Sequence, residues 1–321
     1  LSTLYDKILF DCSQYYHASY AVAQDMQYTT PSGEVLLIGG VYNFLRSLRK
    51  IERTQLRVGG SIYFLFDNAS SINGRRKQID PDYKSNRFRK DPVFYRGLDY
   101  LHLILLAYDE NNFTLKCEGL EADDLVEAIC KNFKPTDSVL LVSNDHDWAR
   151  GITENVHWYV RKEKGETITY TKEKYLEAFG FIPTRESICM FKSFHGDDID
   201  KVPNAVPGIP REVLMKIVTD FQDLKTLFFQ LEIHGVSYIS EVWKNKILNA
   251  KGRLMLNWEL VDYQAVSQKQ LKEDLTPTHC EPKTLRGLYH ALGFNVEKLD
   301  PRPEILGQEE KLEKGKTFFE F

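Results

Sequence analysis

The chain has 321 residues, 42% of them hydrophobic, and a net charge of −4, enough to bury a full core as one elaborated domain or two. No apolar run approaches the roughly 20 residues that span a bilayer, and no basic stretch leads into an apolar one near the N-terminus, so a soluble, non-secreted protein is expected. Five scattered cysteines (Cys12, Cys117, Cys130, Cys189, Cys280), odd in number and without paired spacing, point to a reducing cytoplasm rather than to disulfides or a zinc knuckle. The histidines form no His-Glu-x-x-His pattern, and the His279-Cys280 pair reads as loop.

In chain order, Lys7-Ile8-Leu9-Phe10 reads as a short buried strand ending in Asp11-Cys12-Ser13. An aspartate there either caps the next helix or stands at the carboxyl edge of a sheet, where open α/β sheets place ligands. Residues 41 to 52 carry Val41, Phe44, Leu45, Leu48 and Ile51 at helical spacing, with arginines opposite. The strand Ser61 to Phe66 again ends in a carboxylate, Asp67-Asn68.

A basic stretch follows. Arg75, Arg76, Lys77, Lys84, Arg87, Arg89, Lys90 and Arg96 face only Asp80, Asp82 and Asp91, and an earlier run holds Arg46, Arg49, Lys50, Arg53 and Arg57. The net charge alone argues weakly against a nucleic-acid partner, but distribution matters more than the sum. A long, polar, positive segment between a strand and a helix is either a solvated loop or an arch over a substrate channel. Tyr83 and Tyr95 among these cations are placed to stack on bases.

Tyr100 to Ala107 reads as a helix and Phe113 to Lys116 as a strand delivering the chain to Gly119-Leu120-Glu121-Ala122-Asp123-Asp124. Helical spacing puts Glu121 and Asp124 on one face and Asp123 about 100° round the axis. Such a cluster either starts a helix through its dipole or holds a hard divalent cation through carboxylate oxygens. The most strand-like run, Asp137 to Ser143, finishes in Asn144-Asp145-His146-Asp147. Three strands therefore end in carboxylates and a fourth leads to an acidic helix start, which helix capping alone explains poorly.

Val156 to Val160 and Glu166 to Tyr170 read as a hairpin, with Thr171 capping a helix that ends near Gly180. A helix over 186 to 195 precedes Gly196-Asp197-Asp198-Ile199-Asp200. Pro207-Gly208-Ile209-Pro210 then leads into a helix with Val213, Leu214, Ile217 and Val218 on one side and Lys216 opposite, a turn that lets backbone N–H groups approach phosphates. From Leu224 on the chain reads as helical, with Trp243 and Trp258 expected in the core and a last packing helix over 284 to 294. The tail from Arg302 is mixed in charge and ends in Phe318, Phe319 and Phe321, either a docking peptide or a segment packed on the chain's own surface.

The order of these motifs resembles the 5′-nuclease superfamily over about residues 5 to 225. It is an aspartate after the first strand, an aspartate before a Tyr-Lys-x-Asn-Arg arch, then Glu-Ala-Asp-Asp, Asp-x-Asp and Gly-Asp-x-x-Asp. The arch and the helical C-terminal region look most like the T-even phage ribonuclease H branch. The resemblance implies an α/β, PIN-like core over 1–185 with a mostly parallel central sheet flanked by helices and a basic arch at about 70–98. It further implies a helical, helix-hairpin-helix-like DNA-binding region over 186–300, and the mixed charge of 301–321 reads as a mobile tail.

It also implies that Asp11, Asp67, Glu121 and Asp123 hold a catalytic Mg2+, that Asp124, Asp145, Asp147, Asp197 and Asp200 serve a second ion, and that Mn2+ can substitute. Lys84 and Arg87 would contact the scissile phosphate, while Arg75, Arg76, Lys77, Tyr83, Arg89, Lys90, Gly208, Ile209 and Lys216 would touch nucleic acid. Pro210 and Glu212 replace the usual glycine and lysine of the hairpin, a departure that bears on its grip. The activity expected is Mg2+-dependent 5′ to 3′ exonuclease, flap endonuclease and ribonuclease H cleavage during replication. DNA flaps, nicked or gapped duplex and RNA–DNA hybrid would be the substrates, for a monomer in the cytoplasm (that of the host if phage-encoded), with a replication clamp or single-strand-binding protein on the tail. The rivals are a haloacid-dehalogenase-like phosphatase, which needs no arch, and a non-catalytic structure-specific DNA-binding protein.

Overall fold

The structure is a computed structural model that describes residues 4–68, 74–86, 90–162, 165–300 and 302–306. Its centre is a seven-stranded sheet. β1 (Tyr5–Asp11), β4 (Leu56–Leu65), β5 (Phe113–Leu115), β6 (Val139–Val142) and β7 (Val156–Arg161) run parallel in the order β7-β6-β1-β4-β5. Antiparallel edge strands close it on both sides, β8 (Thr167–Tyr170) on β7 and the short β9 (Thr276–Pro277) on β5. Strands covered on both faces need apolar residues at every position. Accordingly Leu9, Leu65 and Leu141 enter one core while Ile8, Phe10, Ile62, Phe64, Leu140 and Val142 enter the other.

The second of these faces is covered by α1 (Cys12–Ala21), α2 (Gly39–Gln55), α4 (Pro92–Leu106) and α13 (Pro282–Ala291). In α2 the buried residues include Val41, Phe44, Leu45, Leu48 and Ile51, as their spacing predicts. The opposite face is covered by α5 (Ala122–Cys130), α6 (Lys172–Phe179), α7 (Arg185–His195), α8 (Arg211–Asp220), α9 (Leu224–Ile233), α10 (Glu241–Asn249), α11 (Lys251–Val261) and α12 (Gln268–Asp274). Thr171 caps α6 and Gly180 closes it at φ 91°, a left-handed position suited to glycine. Short helices α3 (Arg75–Ile79), α14 (Val296–Leu299) and α15 (Pro303–Leu306) complete the described chain. None of its helices is long and apolar enough to cross a membrane.

Several expectations need correcting. The helix placed at Tyr100 begins at Pro92, because Asp91 accepts from Val93 N at 2.8 Å and Pro92 fills the first helical position. The last part of the basic stretch over about 70–98 is therefore helical. The hairpin of β2 (Gln27–Thr29) and β3 (Val35–Leu37) was not foreseen, nor was β9. Trp243 and Trp258 are only partly buried, packed against the core rather than within it. Arg87, Arg89 and the tail with Phe318, Phe319 and Phe321 lie outside the described residues.

Candidate active site

In the strand order, β1 and β6 are neighbours whose onward connections leave in opposite directions, β1 toward β4 and β6 toward β7. This is the switch point at which an open α/β sheet leaves a crevice beyond its carboxyl ends. Asp11 ends β1, Asp67 follows β4 by two residues and Asp145 follows β6 by three. Asp11 is 4% exposed, whereas Asp67 and Asp145 open to solvent on either side of it.

The capping reading and the cluster reading of these aspartates prove compatible. Asp11 Oδ1 accepts from Gln14 N at 3.0 Å, Asp145 Oδ1 from Asp147 N at 2.9 Å, and Asp67 Oδ1 from Ala122 N, at the start of α5, at 2.9 Å. Two serines bind the three strand ends together. Ser143 Oγ donates to Asp11 Oδ2 at 2.6 Å and accepts from Asp145 N at 3.0 Å, while Ser13 Oγ accepts from Asp67 N at 2.8 Å.

Burial first, then Asp67 and Asp145, push the Asp11 carboxyl well above the usual range. Crowding around Asp145 and the Asp147 charge push its carboxyl up to about 6 against the pull of Lys192, and solvent on its open side screens part of this. Asp123 is raised by burial and by Asp124.

The other carboxylates are matched by buried cations. Lys192 on α7 stands 2.5 Å from Asp147 Oδ1 and 2.8 Å from Asp197 Oδ2. Arg150, in the short 3-10 helix His146–Gly151, stands 2.8 Å from the same Asp147 oxygen. Burial alone would raise Asp147, but Arg150 and Lys192 outweigh it and hold the carboxyl far below the usual range. Lys84 Nζ reaches Glu121 at 2.7 Å and Asp200 at 3.5 Å. Its backbone is left-handed at φ 53°, a conformation disfavoured for lysine and held here by Lys84 N donating to the Asp200 carbonyl at 2.9 Å.

All nine carboxylates expected in the site therefore belong to one connected set. Among the described residues, however, no three carboxylate, imidazole or thiol groups converge on a single point as metal ligands would. The donor chemistry still suits a divalent ion. The charges that weigh most on Asp11 are those of the Asp67 and Asp145 carboxylates, whose oxygens are hard donors.

Three residues depart from their expected roles. Asp124, expected at a second ion, is enclosed by Arg76 Nη2 at 2.9 Å, Gln264 N at 2.9 Å and Glu121 N at 3.1 Å, which occupy its oxygens. Arg76, expected on nucleic acid, is 4% exposed and bridges Asp124 and Glu121; its helical neighbours Arg75 and Lys77 keep contact with solvent. Tyr83, expected to stack on a base, is 5% exposed and donates its hydroxyl to Asp200 Oδ2 at 3.1 Å.

Lys90, Gly208 and Lys216 are exposed and Ile209 half-buried, and no hydrogen bond or ion pair among the described residues ties these four to the carboxylates. The sequence reading missed Ser13, Ser143, Arg150 and Lys192. The available signals were a lysine on the buried side of α7 and an arginine three residues after Asp147, both of which need a buried anion.

A mostly parallel sheet with acidic side chains gathered at its switch point, and a basic segment beside it, defines a PIN-like 5′-nuclease fold. The family described as 5′-3′ exonuclease, N-terminal resolvase-like domain matches residues 6–180, and the chain belongs to it. Its similarity to the 5′-3′ exonuclease of Buchnera aphidicola subsp. Schizaphis graminum is 28% identity over 226 residues, 70% of this chain and 74% of the relative. Flap endonuclease Xni of Vibrio campbellii is 27% identical over 176 residues, 54% of this chain and 64% of that protein.

Among solved structures, T5 5′-exonuclease with bound divalent zinc ions superposes with a TM-score of 0.59 at 18% identity, covering 91% of this chain and 100% of that one. The catalytic core of Rad2 in complex with DNA substrate gives 0.55 at 14%, covering 95% and 92%. The protein is thus a nuclease, a phosphodiester hydrolase of the 5′-3′ exonuclease and flap endonuclease type.

Proposed function

We propose that this nuclease is a Mg2+-dependent 5′ to 3′ exonuclease and flap endonuclease with ribonuclease H activity that removes RNA primers and 5′ flaps during DNA replication. The observation that carries the reading is the buried Asp11 carboxylate, flanked by Asp67 and Asp145 as the charges it feels most. Such an arrangement at neutral pH calls for added cations. Asp11, Asp67, Glu121 and Asp123 are assigned to a catalytic ion, and Asp145, Asp147, Asp197 and Asp200 to a second, directly or through water. Mn2+ would substitute at these oxygens. Two ions held there would supply the Lewis acidity that activates water and stabilises the leaving 3′-oxygen.

The chain's own groups do the rest. Lys84, ion-paired with Glu121 and Asp200, can pass its ammonium to a phosphate oxygen and stabilise charge in the transition state together with Arg87. Arg75, Lys77, Arg89 and Lys90 hold the backbone without reading bases, and Gly208, Ile209 and Lys216 grip duplex beyond the cut. DNA in the Rad2 complex and metal on T5 5′-exonuclease support both parts. DNA flaps, nicked or gapped duplex and RNA–DNA hybrid are the substrates of a monomer whose tail meets a replication clamp or single-strand-binding protein.

Cleavage of 5′-end-labelled flap and primer-hybrid substrates tests the reading. Mg2+-dependent shortening from the 5′ end is expected, and cutting that survives EDTA or proceeds equally from 3′ ends overturns it.

A further inference from the structure

Two buried guanidinium groups hold the acidic site from behind, and both are anchored on one short stretch, residues 261–264, where α11 ends. Arg150 Nη1 donates to the Val261 carbonyl at 2.6 Å, and its guanidinium lies 4.3 Å from the centre of the Tyr263 ring. Its Nη2 stands 2.8 Å from Asp147 Oδ1 and 4.0 Å from Asp123 Oδ2. Arg76 Nη2 donates to the Asp262 carbonyl at 3.0 Å while the same group binds Glu121 and Asp124.

Within the stretch, Gln264 N donates to Asp124 at 2.9 Å and Tyr263 Oη to the Asp147 carbonyl at 3.3 Å. The Asp262 carboxylate receives Nε and Nη2 of Arg185, at the start of the helix that carries Lys192, at 2.7 and 3.0 Å. One stretch of the C-terminal helical region is therefore tied to α3, to the start of α5, to the 3-10 helix and to α7.

We propose that residues 261–264 act as a strap that sets the spacing of the carboxylates, with Arg150 as the positioning residue through which it acts on Asp147 and Asp123. The strap rests on the metal reading above for what those carboxylates hold. A planar guanidinium can face a carbonyl, a ring and two carboxylates at once, and an ammonium cannot. Groups that orient metal ligands without touching the metal change affinity by about 10–100-fold when removed. If Arg150 contributed charge alone, lysine would replace it.

The test is a calorimetric titration of the full chain with Mn2+, without DNA, alongside flap-cleavage kinetics. Arg150→Lys keeps the charge, and Tyr263→Leu removes a ring whose hydroxyl donates to the Asp147 carbonyl. Both are expected to weaken Mn2+ binding by about tenfold and to lower kcat with KM for DNA within about twofold. Arg302→Lys, in the distant ion network around Asp300, is expected to change neither, even where it lowers Tm as much. Should Tyr263→Leu fail to fold, Tyr263→Phe is expected to weaken Mn2+ binding by about threefold.

Wild-type Mn2+ affinity in folded Arg150→Lys or Tyr263→Leu overturns the strap, as does an equal loss in Arg302→Lys. A wild-type chain that binds Mn2+ but cuts no flap leaves the strap standing and overturns the proposed function. One that binds no Mn2+ overturns both.

Discussion

Ser143, just after β6, and Asp11, at the end of the neighbouring parallel β1, are joined by a 2.6 Å hydrogen bond from the serine hydroxyl to Asp11 Oδ2. Because the same hydroxyl accepts from Asp145 N, one small side chain fixes two carboxylates across the switch point. Ser143→Ala removes a donor to a buried anion, which costs about 1.5–3 kcal/mol. Denaturant unfolding should show that loss, and flap cleavage should fall about tenfold.

Asp11→Asn is expected to separate stability from activity. The wild-type carboxylate is buried and repelled by its neighbours, so neutralising it should raise the Tm in EDTA, by roughly 1–2 kcal/mol of stability, while cleavage falls by about a thousandfold or more. A lower Tm with activity retained would show that Asp11 is only a helix cap.

Arg76 and Arg75 are sequence neighbours with opposite surroundings. Arg76→Met strands the buried Asp124 carboxylate and should cost about 3–5 kcal/mol. Arg75→Ala should leave stability within about 0.5 kcal/mol and instead weaken DNA binding with a shallower salt dependence. Equal effects of the two on binding, with neither on stability, would restore Arg76 to the nucleic-acid surface.

His157 gives a pH dependence away from the site. Burial lowers its pKa, and Tyr5 Oη lies 2.9 Å from Nδ1. The folded state thus takes up the proton less readily than the unfolded chain. This contribution to stability is full above about pH 6.5 and is lost as pH falls below it. Urea midpoints from pH 8 to 5 should decline less steeply in His157→Gln than in the wild type.

Asp11, Asp67, Glu121 and Asp145 were legible because each follows a short apolar strand, and parallel strands deliver their carboxyl ends to one edge whatever their order. Asp197 and Asp200 required family likeness, since they follow a helix. Arg76, Tyr83 and Asp124 were misplaced because charge and aromaticity in sequence do not tell which side of a loop is buried. Arg76 lies 48 residues from Asp124, and Gln264 lies 140 residues away. Lys192 went unnoticed because Asp147 and Asp197 reach it from other elements, and Arg150, although three residues from Asp147, because its anchor at the Val261 carbonyl lies 111 residues away. β2 and β3 form a local hairpin but are only three residues each, too short for alternation to show, and β9 pairs with the distant β5.

The claim on which most depends is that the carboxylates around Asp11 hold divalent ions. An anomalous difference map from crystals of the protein soaked in Mn2+ addresses it without reference to activity. Strong peaks in contact with the oxygens of Asp11, Asp67 and Asp145 are expected, lost in Asp11→Asn. A map with no peak at the carboxyl ends of β1, β4 and β6, or with Mn2+ only on outlying surface carboxylates, would contradict it.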